Sequence, residues 1–88
     1  MSRLDKNILF DYYGALLSNK QRECFDLYYN EDLSLSEIAE LQGISRQGAW
    51  DNIKHAEEKL REIEEKTGLI ARVTELESLL EGRGTNGI

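Results

Sequence analysis

Apolar residues recur at three- and four-residue intervals along most of the chain, a rhythm that predicts an all-α protein. From Asp5 to Leu17, Ile8, Leu9, Tyr12, Tyr13, Leu16 and Leu17 fall on one helical face, with Gly14 weakening the segment slightly. Ser18 followed by Gln21 has the spacing in which a hydroxyl takes a first-turn amide and a carboxamide reaches back to the cap. A second helix is therefore expected from about Asn19, turning Cys24, Phe25, Leu27, Tyr28 and Tyr29 inward. Asn30 to Leu33 reads as a polar connection, after which Ser34 and Glu37 repeat the same cap for a short third helix. Gly43 closes that helix, since glycine accepts the left-handed conformation of a C-terminal cap without a side-chain clash. Ser45 caps a fourth helix from Arg46, along which Ala49, Ile53, Ala56, Leu60 and Ile63 keep the rhythm. Gly68 is expected to break or bend it before a last stripe of Leu69, Ile70, Val73, Leu76, Leu79 and Leu80.

These elements assemble into a small helical bundle containing a helix-turn-helix, with an extended C-terminal helical segment. The expected division is a helix-turn-helix domain over residues 1–66, an amphipathic helix over residues 67–81 and a flexible tail over residues 82–88. The last stripe has more apolar positions than the local core can cover. Leu69, Val73, Leu76 and Leu80 are accordingly expected to join two copies into a homodimer.

Composition narrows the function classes. A chain of 88 residues buries only about 60 to 65% of its extended surface, which leaves little room for a large catalytic cleft. Apolar residues at 40% and charged residues at 32% suit a soluble helical domain. No apolar run approaches the roughly 20 residues of a membrane span. Met1 to Asp5 carries both charge signs and leads into no apolar signal core, so a cytoplasmic location is expected. Cys24 and His55 are the single cysteine and histidine, so a closed zinc site lacks its ligands, and no nucleophile, base or phosphate loop is arranged for catalysis. Neither a cofactor nor an enzymatic role is expected. The net charge of −6 has the wrong sign for bulk attraction to nucleic acid, and its excess is uneven. Met1 to Asn30 holds four bases and four acids, whereas Glu31 to Lys66 holds five bases and ten acids.

The chemistry concentrates at the third and fourth helices. Leu35, Ile38, Ala39, Gly43, Ile44, Ala49 and Ile53 have the spacing of two short helices joined by a tight turn, with alanine where they nearly touch. That geometry turns Arg46, Gln47, Trp50, Asp51 and Lys54 outward, with Ser45 toward the backbone of a DNA duplex, as a recognition helix requires. The run LSLSEIAELQGISRQGAWDNIKHAEEKL, from Leu33 to Leu60, resembles region four of bacterial sigma factors. The segments LFDYYGALLSNKQ, LYYNEDLSLSEIAE and ISRQGAWDNIKHAEEKL are similar to the YlxM-like helix-turn-helix proteins of bacteria. That resemblance implies DNA binding. Because genes of the family commonly lie beside those for signal recognition particle components, it also implies a regulatory connection to that targeting pathway. The chain departs from the family's expected recognition helix at Gly48 and Ala49, at Trp50 in place of tyrosine, and at His55 in place of a second base.

Each residue also has a plainer reading. Arg46 and Gln47 would form bidentate contacts to guanine and adenine worth about 1–3 kcal/mol each, or they are the solvated first turn of a surface helix. Asp51 would accept a cytosine amino proton, or orient Arg46 from five positions away. Trp50 would stack on a base or sugar, or pack on Tyr28 or Tyr29. Cys24 reads as a small buried filler. Glu57, Glu58, Glu62, Glu64 and Glu65 read as a solvated face laced to Lys54, Lys59, Arg61 and Lys66, or as a docking surface. Two functions stand on these residues: a sequence-specific regulator bound to double-stranded DNA, or a protein- or RNA-binding adaptor of the signal recognition particle system.

Overall fold

Without proline anywhere in the chain, each helix ends at a cap or a glycine, and the computed structural model follows those signals closely. It describes residues 3–86. Helix α1 spans Arg3–Tyr13, a 3-10 turn covers Gly14–Leu16, and α2 spans Asn19–Tyr29, α3 Leu35–Gln42, α4 Arg46–Thr67 and α5 Leu69–Asn86. No strand is present among the described residues.

Both expected capping boxes form. The Ser18 hydroxyl accepts from the Gln21 amide at 3.2 Å while the Ser18 amide donates to Gln21 at 3.3 Å. Ser34 and Glu37 make the same exchange at 3.1 and 3.0 Å. Between them, Asp32 takes the left-handed conformation at φ 56°, which aspartate tolerates better than most residues, and the Leu33 amide closes back on the Leu27 carbonyl at 3.0 Å.

The first helix departs from its expected shape. Its α-helical part stops at Tyr13, and a 3-10 turn rotates about 120° per residue instead of 100°. The tighter winding turns Leu17 into the core and leaves Leu16 59% exposed. The buried stripe is centred on Leu9 and Tyr13, so Tyr12 lies on its flank at 43% exposure. Phe10 belongs to the stripe as well, stacking on Phe25 with ring centroids 4.7 Å apart. Gly14 is buried beneath that ring, and a Cβ there would lie 3.2 Å from Phe10.

Two apolar clusters share α2 and α4. Leu9, Tyr13, Leu17, Phe25, Ala56 and Leu60 form one around α1, and Cys24, Ile38, Ala39, Ala49 and Ile53 form the other around α3. Helix α4 is therefore the spine of the molecule: one face supplies Ala49 and Ile53 to the first two turns' neighbours and Ala56 and Leu60 to α1. Its length, unexplained by the helix-turn-helix alone, follows from this double duty. Cys24 is the buried filler expected, and burial pushes its thiol up from the ordinary range, with Lys20 opposing.

Gly68, at φ 60°, ends α4 in the left-handed conformation, and its carbonyl accepts from the Arg72 amide at 3.0 Å to open α5. Glu64 ties this corner. Its carboxylate accepts from the Tyr13 hydroxyl at 2.6 Å and from the Ile70 and Ala71 amides at 3.0 and 3.1 Å. The Tyr13 hydroxyl also meets the Thr67 hydroxyl at 2.9 Å. Glu64 thus serves as a remote cap on α5, placing negative charge at a helix N-terminus. Helix α5 continues past the expected boundary at residue 81 to Asn86, since glycine lowers helix preference by about 1 kcal/mol without removing a hydrogen-bond donor. Residues 87 and 88 of the expected tail lie outside the described residues.

Candidate nucleic-acid interface

The turn between α3 and α4 is built from backbone requirements. Gly43 sits at φ 66° with nothing within 4 Å of where a Cβ would stand, so conformation and not space demands glycine there. The amide of Gly43 reaches the Glu40 carbonyl at 3.4 Å, and the Ile44 amide reaches Ala39 at 3.0 Å. Lys20 adds a support that the sequence did not announce: its ammonium donates to the Gln42 backbone and side-chain oxygens at 2.9 and 3.0 Å. A cation at the C-terminal end of α3 complements that helix's dipole. The Ser45 hydroxyl accepts from the Gly48 amide at 2.9 Å and starts α4.

The first turn of α4 then leaves the protein surface. Arg46 and Gln47 are both exposed, as are Ser45 and Asp51. Asp51 does not orient Arg46; it accepts from the Gln47 carboxamide at 2.9 Å, because a four-residue separation brings side chains onto one face and a five-residue one does not. Trp50 is half-buried and meets Tyr28 edge to face, with centroids 6.2 Å apart at 74°. The packing reading holds for part of the indole, which lies on Tyr28 of α2, and the rest remains at the surface. Together Tyr28, Leu35, Arg46, Gln47 and Trp50 line an open concavity, with Tyr28 and Leu35 backing onto the α3 cluster.

Lys54 points outward and is laced to Glu57, as the sequence leads one to expect, but Glu57 itself is not on the surface. Its ammonium lies 4.5 Å from the Trp50 ring centre and 3.4 Å from a Glu57 carboxylate oxygen. Glu57 is 5% exposed, so it leaves the expected solvated face, while Glu58, Glu62 and Glu65 remain on it. The Tyr29 hydroxyl donates to Glu57, and Lys6 of α1 approaches the same oxygen at 3.3 Å. Burial alone would raise the Glu57 carboxyl, but the Tyr29 hydrogen bond and the Lys6 and Lys54 ammoniums outweigh it and hold the group below its ordinary range. The spacing of Lys54 and Glu57 was visible in the sequence, whereas the burial of Glu57 against Tyr29 depends on how α2 crosses α4.

The expected contacts of a second copy lie elsewhere. Leu69, Leu76 and Leu80 are exposed and Val73 is half-buried, all on α5, while neighbouring Ile70 packs against the α1 cluster. Among the described residues no group of three His, Cys, Asp or Glu side chains could hold a metal ion, and no helix is long and apolar enough to cross a membrane.

A protein-family model described as "Putative helix-turn-helix protein, YlxM / p13 like" matches residues 1–84. The chain belongs to this family, UPF0122. It is 53% identical over 74 residues to a UPF0122 protein of a Thermoanaerobacter species, covering 84% of this chain and 63% of that one. A UPF0122 protein of Bacillus cereus is 50% identical over 74 residues, covering 84% and 67%, and one of Halalkalibacterium halodurans is 47% identical over 78 residues, covering 89% and 72%. The chain thus spans about 63% of the length of the first of these UPF0122 relatives. The family match covers α3, the Gly43 turn and α4.

Proposed function

We propose that this UPF0122 chain is a DNA-binding regulator that inserts the N-terminal end of α4 into the major groove of duplex DNA. One observation carries the reading: Arg46 and Gln47 stand exposed at the start of a capped helix, behind a left-handed glycine turn, with no neighbouring element over them. In this reading Arg46 and Gln47 contact base edges, Ser45 and Lys54 approach phosphates, Trp50 contacts sugar, and Asp51 fixes the Gln47 amide. Two copies joined through Leu69, Val73, Leu76 and Leu80 present two such helices to half-sites about one helical turn apart. Such a protein acts where the chromosome is, in the cytoplasm of a bacterium, and the resemblance implies a regulatory connection to the signal recognition particle pathway.

The acidic balance favours a second reading. With ten acids against five bases between Glu31 and Lys66, the scaffold also suits an adaptor of that pathway that docks a protein component through α4, the acidic charge opposing an RNA component as it opposes DNA. Duplex binding across a salt series separates the two, because phosphate neutralisation makes log affinity fall linearly with log salt. Arg46→Ala is expected to relax sequence preference among fragments selected from a random DNA pool, and Lys54→Ala to weaken all sequences alike. A flat salt response, or an unenriched pool, assigns the adaptor reading instead. Val73→Glu is expected to halve the mass seen by light scattering, and an unchanged mass removes α5 from the dimer contact.

A further inference from the structure

Glu57 is a costly residue at its position. The side chain is 6% exposed, and taking a carboxylate out of water is unfavourable unless partners compensate. The Tyr29 hydroxyl needs only an acceptor, which a neutral carboxamide would supply equally well. What the negative charge adds is a hold on two ammonium groups, Lys6 at 3.3 Å and Lys54 at 3.4 Å. The two lysines differ in what they face. Lys6 is 22% exposed and also donates to the Tyr29 hydroxyl at 3.0 Å. Lys54 is 43% exposed, sits on the helix that carries Arg46 and Gln47, and meets Glu57 and the Trp50 ring. Glu57 is fixed by Tyr29 and Lys6, so Lys54 is the side that can move.

We infer that Glu57 is a positioning residue that restrains Lys54 against Trp50 and keeps the affinity of the α4 surface for phosphate low. Arg46 and Lys54 are the two permanent positive charges between Ser45 and Ala56. With Lys54 neutralised by its own helix, non-specific attraction is small and discrimination falls to the contacts of Arg46 and Gln47. A phosphate that recruits Lys54 must draw it away from Glu57, so it gains less than one full counterion-releasing contact. This inference rests on the DNA reading above.

The test compares the full chain with Glu57→Gln, Glu58→Gln, Lys54→Met and the Glu57→Gln/Lys54→Met double variant, using a fluorescent mixed-sequence DNA duplex titrated across a salt series. Glu57→Gln is expected to tighten binding roughly fivefold at low salt and to steepen the log–log slope by about 0.9, one added phosphate contact. Glu58→Gln, the same charge change on an exposed neighbour, is expected to do much less, and the Glu57→Gln gain is expected to vanish in the Lys54→Met background. Equal gains from Glu58→Gln, or a gain that survives Lys54→Met, would mean plain charge reduction and overturn the inference. Unchanged or weakened binding by a folded Glu57→Gln variant would overturn it too. Should that variant not fold, Glu57→Met with Lys6→Met replaces the buried ions by apolar groups and releases Lys54 in the same way, with the same expected gain. Binding by no variant, the native chain included, would instead defeat the DNA reading and take the inference with it.

Discussion

From Arg46 to Asp51, α4 carries its charged and carboxamide side chains on the outside, where they meet one another or solvent. From Ala56 to Thr67 the same helix turns two glutamates toward the fold and binds α1, α2 and α5 with them. In the first half Gln47 is tied only to Asp51, one turn away on its own helix. In the second half Glu57 meets Tyr29 and Lys6, and Glu64 meets Tyr13 and the first amides of α5. One continuous helix thus separates the two tasks along its length: the anchored end fixes the angle at which the open end is presented. Changes at the inward positions of either half should cost stability, and changes at the exposed side chains Arg46 and Gln47 of the open half should cost binding alone.

The largest effect expected from this contrast comes from Leu60→Ala, which opens a hole between α1 and α4 where the side chain is 1% exposed. The loss is expected to be about 2–5 kcal/mol by chemical denaturation, most of the stability of a chain this small. Gln47→Ala, in the open half, is expected to stay within about 0.5 kcal/mol of the native chain. Comparable losses from the two would dissolve the distinction.

Next is Tyr13→Phe, which removes the hydroxyl that joins Glu64 to Thr67 and leaves the ring in place. Glu64 keeps its two backbone donors, so the expected cost is about 0.5–1.5 kcal/mol, the net worth of an ordinary hydrogen bond. Hydrogen exchange should show the loss as faster exchange at the Ile70 and Ala71 amides; unchanged protection there would separate Tyr13 from the α5 cap.

The acid limb of stability tests both glutamates at once. The Tyr13 hydrogen bond, with the Ile70 and Ala71 amides, holds Glu64 below the ordinary carboxylate range against the opposing effect of burial, and Glu57 is held low by the balance already described. Groups depressed in the folded state contribute stability that is present above the unfolded value of about 4.3 and lost as pH falls through the folded values. Thermal unfolding should therefore drop between about pH 5 and the folded values, and Glu57→Gln with Glu64→Gln should flatten that drop. A drop of undiminished size in the double variant would move the acid sensitivity to other carboxylates.

The same contrast explains what could be read beforehand. Caps and turns depend on residues a few positions apart, so Ser18, Ser34, Gly43, Ser45 and Gly68 marked the helix ends directly in the sequence. Exposed first-turn residues such as Arg46 and Gln47 follow from those caps by helical rotation. Glu57 and Glu64 did not, because their roles arise from residues 28 and 51 positions away that only the packing of α2 and α1 brings near. Leu16 was misplaced for a local reason: a 3-10 turn and an α-turn share the same hydrophobic pattern but rotate it differently.

The smallest effect probes the hinge between cap and open half. Gly48→Ala adds a Cβ 3.1 Å from the Ser45 hydroxyl oxygen, the atom that accepts from the residue 48 amide. Alanine gains up to about 1 kcal/mol of helix preference in a helix interior, but residue 48 stands in the first turn, where that gain is reduced, and the cap must yield a few tenths of an ångström. The Ser45 side chain lies at the surface and can shift without disturbing packed neighbours, so the helix term is expected to win by about 0.5 kcal/mol or less. A small rise in melting temperature with unchanged duplex affinity would show that the glycine is dispensable to the open half. A fall in stability would mean the cap is stiffer than its exposure implies, and the start of α4 would then belong with the anchored half.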